Sequence, residues 1–245
     1  MLLLSLFCCP PPGTRGAEGE PMGNIQQFAL VKRLAPQMRG PVLEIGSKRY
    51  ADPPISFDYR TLFPAGTDYV GADAEAGSGV DIVLDMTAGI EVLREKLGQR
   101  QYGAVICLSV LEHVKDIFSF SRNVEELLQP GGMLVLSVPF SWEIHAYPGD
   151  YWRFTPEAVR YLFANVDFDQ HLSQFHTDWG RTMSLEDAGD DLNRWTMYFS
   201  AAERADKSAR GRLRRVGFSL LRRVFGLKKN MLYSTMFDMV GSKEG

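Results

Sequence analysis

Five short apolar runs in this chain each end in a residue suited to a polar ligand. Val42–Ile45 is followed by Gly46, Tyr69–Ala72 by Asp73, Asp81–Leu84 by Asp85, Ala104–Leu108 by Ser109, and Met133–Val138 by Pro139. Glycine has no side chain, so a ligand can approach the backbone there. Aspartate at position 73 can accept from both hydroxyls of a ribose, and aspartate at position 85 from the exocyclic amine of adenine. Glu44 differs from these, because it lies inside its run, where a carboxylate is expensive unless paired or ligand-linked. Each signal alone is weak, since a strand-end aspartate is more often a cap or turn residue and one glycine after a strand is common. Their order and spacing are what point to a single ligand.

A second group follows the fifth run. The stretch PFSWEIHAYPGDYWRFTP places Trp142, His145, Tyr147, Tyr151, Trp152 and Phe154 in one loop. Aromatic faces stack on planar or sugar-ring surfaces, and His145, Asp150 and Arg153 can orient polar groups. Trp152 and Phe154 are expected to pack the loop onto the protein, His145 and Tyr147 to face a pocket. His145 suits a general base, because an unperturbed imidazole is largely neutral at cellular pH. Asp150 can orient it, or can simply stabilise its Pro-Gly turn. Glu112 and His113 offer two metal ligands, too few for a dedicated site, so no metal is expected.

The elements that must position these residues follow from periodicity. After a helix expected over Ile25 to Met38, β-branched runs alternate with helical patterns, which predicts an α/β fold with a mostly parallel sheet. The runs are short and apolar throughout, as strands covered on both faces should be. Ile117 to Leu128 has helical spacing and stops at Gln129-Pro130-Gly131-Gly132. Thr155-Pro156-Glu157 combines an N-cap, a first-turn proline and an acid at the positive helix end, opening a helix through Phe163. Asp167–His176 and Tyr233–Gly241 supply two further strands. Between the first two runs lies a proline-rich segment, and between the second and third only Ala74 to Val80. Helices are therefore expected to be trimmed on that side.

The chain has 245 residues with a formal net charge of −3, enough to bury a full core and no source of global attraction to nucleic acid. Its three cysteines, Cys8, Cys9 and Cys107, make no disulfide framework, which fits a reducing cytoplasm. The opening MLLLSLFCCPPP is far short of the roughly 20 apolar residues of a spanning helix. Residues 1–21 are expected to be a disordered leader, with Met22 the natural start because Glu18-Gly19-Glu20 is what a purine-rich ribosome-binding site would encode. The expected organisation is a ligand-binding core over 22–176, a helical basic insertion over 177–230, and a closing strand with the C-terminus over 231–245.

The segments VLEIGS, YVGAD, GSGVDIVLDM, ICLSVLEHV, LQPGGMLVLSVP and DYWRFTPEAVRYLF together resemble the class I S-adenosylmethionine-dependent methyltransferases. More narrowly, they resemble a bacterial, type 11-like branch whose members share GVD…D and YPxDYWRFTPE segments. The resemblance covers about Val42 to Phe163, and Tyr233–Gly241 is similar to the closing antiparallel strand. It implies a Rossmann-like, mostly parallel seven-stranded sheet with a helical insertion before the last strand, and S-adenosylmethionine as cofactor. It also implies that the Glu44–Ile45–Gly46 turn approaches the methionine part of the cofactor, that Asp73 holds the ribose, that Asp85 and Met86 flank the adenine, and that Leu108 and Ser109 line the floor beside the sulfonium. The common family pattern is Gly-x-Gly; here Lys48 stands where the second glycine would be. S-adenosylmethionine carries no phosphate, so one glycine can suffice where a dinucleotide would need the fuller pattern. The implied activity is methyl transfer to a small-molecule or glycan-type acceptor at oxygen or nitrogen; the alternative is a non-catalytic module that keeps the fold for binding or assembly.

Within the insertion, GRLRRVGFSLLRRVFGLKK sets Leu213, Val216, Leu220, Leu221, Val224 and Leu227 at helical spacing against Arg212, Arg215, Arg222 and Arg223. Residues 211–229 therefore suit either the inner face of an anionic membrane or a protein surface. Membrane contact predicts liposome co-sedimentation that requires anionic lipid and weakens as salt rises. Equal partitioning to neutral liposomes, or none, assigns this helix to protein packing.

Overall fold

The computed structural model describes residues 24–49, 57–142, 144–145, 149–177, 182–188 and 235–245. The expected leader, Tyr147 and the basic stretch 211–229 lie outside them. Among the described residues the strands form one mixed sheet: β1 (Val42–Ile45), β2 (Tyr69–Asp73), β3 (Ile82–Val83), β4 (Tyr102–Leu108), β5 (Leu128–Ser141), β6 (Val166–Phe168), β7 (Gln174–Thr177), β8 (Thr182–Ser184) and β9 (Thr235–Lys243). The order across the sheet is β3-β2-β1-β4-β5-β9-β7-β8, with β6 also pairing β9. The first five strands are mutually parallel, and β9 runs antiparallel between β5 and the β6/β7 edge.

The expected seven strands become nine for two reasons. The single strand expected over Asp167–His176 is broken into β6 and β7, both of which pair with β9. The break falls where Asp169 Oδ1 accepts the backbone N–H groups of His171 and Leu172, which folds the chain into a turn. The remaining addition, β8, pairs antiparallel with β7 inside the region expected to be helical.

The sheet is covered unequally. On one face β1 presents Leu43 and Ile45, packed with Leu93 of α2 (Ile90–Lys96), Phe120 and Val124 of α3 (Ile117–Leu127), and Val159 and Leu162 of α4 (Pro156–Leu162). On the other face, Val42 packs with Leu30, Val31 and Leu34 of α1 (Asn24–Leu34) and with Tyr59 of a 3-10 turn. Pro36 lies in the 3-10 turn that follows α1, and the helix ends at Leu34, short of the expected Met38. The anticipated cap occurs, Thr155 accepting the N–H of Ala158 ahead of Pro156, and a second that was not anticipated is Asp116, which accepts that of Ser119. The helix α2, which no strong cap announced, begins at Gly89 without a side-chain cap. Between β1 and β3 the described connections hold only the 3-10 turn Tyr59–Leu62, so the trimmed side expected from sequence is present. No helix among the described residues is long and apolar enough to cross a membrane.

Candidate functional site

Because β1 to β5 are parallel, their carboxyl ends form one rim, and the registers align them: Ile45 is opposite Ala72 and Cys107, Asp73 opposite Val83, and Leu108 opposite Ser137. Gly46, Asp73, Asp85 and Ser109 thus come together on that rim, as spacing alone suggested. Open parallel sheets place ligands at this edge.

The loop after β1 is built by close backbone approach. Gly46 has φ +81°, and a Cβ there would lie 2.3 Å from Val110 Cγ2. The neighbouring Ser47 packs against β2 at Gly71, where a Cβ would come 2.3 Å from the carbonyl oxygen of Gly79 and 2.8 Å from Ser47 Oγ. Arg49 then bridges to Ser78, with its N–H donated to the Ser78 carbonyl at 2.8 Å. Gly71, Gly79 and Val110 were not among the expected site residues; a glycine inside a strand was the available signal for the first.

Lys48 shows how the loop does without its second glycine. Its side chain crosses Gly77, where a Cβ would lie 2.8 Å from Lys48 Cγ, and its Nζ reaches Glu75 at 2.6 Å. Its backbone N–H is donated to Asp73 Oδ2 at 3.1 Å, while Asp73 Oδ1 accepts from Glu75 N at 3.0 Å. Each carboxylate oxygen still has acceptor capacity, so Asp73 both ties the two loops and can receive a diol. Asp85 is exposed, and its Oδ1 accepts from the N–H and hydroxyl of Thr87. The Met86 side chain is buried in the α3-side core, so only its backbone belongs to the rim; Asn123 of α3 donates to the Met86 and Ala88 carbonyls at 2.8 Å each.

The Glu44 carboxyl does not reach the rim. It is 9% exposed, and its Oε2 accepts from the Tyr69 hydroxyl at 2.7 Å. Burial pushes its pKa up from 4.5 to about 7, with Asp58 adding to the rise and Tyr69, Arg49 and Arg60 opposing it.

At the end of β4, Ser109 adopts φ +54°, a left-handed conformation uncommon outside glycine. Two bonds hold it: its N–H goes to the Ser137 carbonyl, and its Oγ accepts from Gln27 Nε2 at 3.0 Å. Gln27, on α1 and 2% exposed, also donates to Ser137 Oγ at 2.8 Å, and Ser137 donates to Asp238 Oδ1 at 2.7 Å. Sequence reasoning missed this chain of polar groups, although Asp238 stands out as the one charged residue in the apolar run of β9. A crevice of about 400 Å³ opens beside it, lined by Ile25, Gln26, Ala29, Leu30 and Arg33 of α1 and by Gln174 and Thr182.

The aromatic loop docks on the turn after β4. Tyr151 N–H is donated to the Glu112 carbonyl at 2.8 Å, and Trp152 Nε1 to the Val114 carbonyl at 2.8 Å. Phe154 is in the core, as expected of a packing residue. Asp150, with its side chain 3% exposed, binds Arg153 through both oxygens and accepts the His145 backbone N–H at 3.0 Å. The Arg153 bonds hold its carboxyl well below the usual carboxylate range, so Asp150 orients His145, whose Nδ1 is 3.5 Å from Oδ2, without taking a proton from it. His145 also meets the edge of His113, with ring centroids 5.0 Å apart. Together with Glu112 these histidines offer three potential ligand atoms within 4.8 Å of one another, where the sequence count stopped at two. Glu112 is 1% exposed, its Oε2 has no hydrogen-bond partner among the described residues, and burial pushes its pKa up to about 8.

No family model matches the chain, and no curated protein matches it. Solved structures do. One is a SAM dependent methyltransferase from Archaeoglobus fulgidus, similar over 89% of this chain and 93% of that one at 14% identity and a TM-score of 0.51. The fold is the Rossmann-like fold of the class I methyltransferases. Another with this fold is the 1,6-didemethyltoxoflavin-N1-methyltransferase of Burkholderia thailandensis, solved with 1,6-didemethyltoxoflavin and S-adenosylhomocysteine bound. It matches over 91% of this chain and 80% of that one, at 12% identity and a TM-score of 0.52. In the class I methyltransferase fold seen here, β9 takes the place of the closing antiparallel strand.

The Glu44 environment carries a signed prediction. A carboxyl whose pKa is raised by folding binds more protons folded than unfolded, so stability falls as pH rises from about 4.5 to about 7. Glu44→Gln should match the parent in urea unfolding near about pH 4 and exceed it by roughly 2–3 kcal/mol near about pH 8.5. A stability difference that is the same at both pH values would mean that Glu44 is not held neutral.

Proposed function

We propose that the protein transfers a methyl group from S-adenosylmethionine to a small-molecule acceptor at oxygen or nitrogen. The observation that carries this reading is the rim itself: Gly46, Asp73, Asp85 and Ser109 stand together at the carboxyl ends of β1 to β4, in a fold shared with methyltransferases. Asp73 would hold the ribose, Asp85 and the Met86 backbone the adenine, the Glu44–Ile45–Gly46 turn the methionine part, and Leu108 and Ser109 the sulfonium side. The neighbour solved with 1,6-didemethyltoxoflavin and S-adenosylhomocysteine bound supports a small molecule. When bound, the cofactor supplies an electrophilic methyl on a cationic sulfur.

Methyl transfer from sulfur is an in-line displacement, so aligning donor and acceptor supplies much of the acceleration. An oxygen or nitrogen acceptor must also lose a proton, and His145, oriented by Asp150 beside the turn after β4, is the group proposed to take it.

Calorimetry with S-adenosylmethionine and S-adenosylhomocysteine tests the cofactor site. Asp73→Ala should weaken both by roughly 1.5–3 kcal/mol, the scale of hydrogen bonds to a charged group. Because Asp73 also ties two loops, circular dichroism and thermal unfolding must show the variant folded; unchanged affinity in a folded variant would sink the site. A methyl-transfer screen with labelled cofactor then identifies the acceptor. With that acceptor, His145→Ala should keep cofactor affinity and lower turnover by about 10²–10⁴-fold. Turnover within a few-fold of the parent would make His145 a loop residue and leave transfer to alignment alone.

A further inference from the structure

The buried polar chain beneath α1 has no part in the chemistry above. Asp238 and His176 are both 0% exposed. Asp238 accepts three hydrogen bonds: from Ser137 Oγ at 2.7 Å, Gln174 Nε2 at 2.9 Å and His176 Nδ1 at 2.9 Å. The directions are fixed by the donors. Gln27 Nε2 spends one hydrogen on Ser109 and one on Ser137, so the Ser137 hydroxyl hydrogen is left for Asp238.

His176 Nε2 is buried and has no hydrogen-bond partner among the described residues. A proton there would create a buried cationic N–H with no acceptor, which is far costlier than an unshared lone pair. The ring therefore meets Asp238 through the hydrogen on Nδ1, and that carboxylate is met by donors alone. Among the described residues no lysine or arginine makes an ion pair with Asp238, although Arg33 reaches Gln174 at 3.5 Å. A buried anion without a cation is unfavourable in isolation, and this one has an outlet. In register, Asp238 is opposite Ser137 and Ser137 opposite Leu108, so the charge sits two strand spacings, roughly 10 Å, from the end of β4. Its field crosses this face of the sheet, where it adds to burial and Glu44 in disfavouring ionisation of Tyr59.

We propose that Asp238 is a charge-selecting residue that favours the cationic sulfonium cofactor over its neutral thioether product at the end of β4. The proposal rests on the methyltransferase reading above. In transfer, the acceptor lone pair forms the new bond to the methyl carbon as the carbon–sulfur bond breaks. The sulfur keeps that bonding pair and becomes neutral, and the acceptor proton leaves to His145 or water. The attraction to Asp238 exists before this step and vanishes after it. It therefore favours exchange of product for fresh cofactor and does not lower the barrier, since only interactions stronger in the transition state do that.

The test uses the full chain and two ligands that differ by the methyl group and its charge, S-adenosylmethionine and S-adenosylhomocysteine, titrated by calorimetry at low salt. Asp238→Asn should weaken S-adenosylmethionine roughly ten-fold, the effect of one charge over about 10 Å at an effective dielectric constant near about 20, and leave S-adenosylhomocysteine within about two-fold. Gln174→Lys, which keeps the carboxylate but sets a cation against it, should shift the same ratio in the same direction, and it serves alone if Asp238→Asn fails to fold. Ser137→Ala, which removes a hydrogen bond and no charge, should leave the ratio unchanged. Equal losses for both ligands, or an unchanged ratio in the charge variants, would overturn the proposal and leave the cofactor site standing. Failure of the parent to bind either ligand would overturn the methyltransferase reading and this inference with it.

Discussion

The loop after β1 lies against two other stretches of backbone, and the site depends on that contact. Ser47 can sit beside β2 only because Gly71 has no side chain, and the segment at Gly79 can close over both only because it has none either. With the loop pressed down in this way, the Lys48 N–H reaches the carboxylate at the end of β2, and Gly46 comes against Val110 after β4. Three strand ends are thereby locked together by sterics. A family pattern with repeated glycines in the first loop achieves thinness within that loop; here the glycines sit partly on the opposing β2–β3 side. Thinness is a property of the interface, so it does not matter which partner supplies it.

Electrostatics then separates carboxyl groups that look alike in sequence. Glu44 and Glu112 are buried with little to compensate a charge, and burial pushes both pKa values toward or above neutrality. Asp150 is almost as enclosed, yet the two-pronged grip of Arg153 keeps it ionised at any ordinary pH. The difference lies in the partners. Desolvation penalises the charged form in every case, and only a cation or several donors outweigh it. Asp238, the residue proposed to act on the strand ends, is likewise met by several donors: a hydroxyl, an amide and an imidazole.

Much of the architecture was legible because buried parallel strands leave a short apolar signature and one helix, α4, announces itself through its cap. Val42–Ile45 and the Thr155 cap match the structure, and the polar residues closing the first four runs do gather on one rim. What periodicity could not reveal were partnerships made by residues far apart in the chain. Gln27 and Ser109 are 82 positions apart, and Ser137 and Asp238 are 101 apart. Each of these residues has a bland local reading, as a polar position on a helix or strand, and acquires meaning only when the topology sets β9 between β5 and β7. The split of one expected strand into β6 and β7 has a similar origin: Asp169 competes for the backbone locally, and alternation of side chains does not register that competition.

The acceptor side proposed for the site follows from where the aromatic loop is fastened. Its backbone is tied at Tyr151 to the carbonyl of Glu112, and Trp152 is tied to that of Val114, so the loop is anchored to the short turn that leaves Ser109. Ser109 is itself fixed from the opposite face by Gln27 of α1. A displacement at the end of β4 would therefore be felt by both the loop carrying His145 and the helix bordering the crevice. The proposed in-line displacement needs donor and acceptor aligned to within a fraction of an ångström, and hanging both proposed sides on one strand end would meet that demand. The left-handed backbone of Ser109, uncommon for a residue with a side chain, marks the point where those constraints meet.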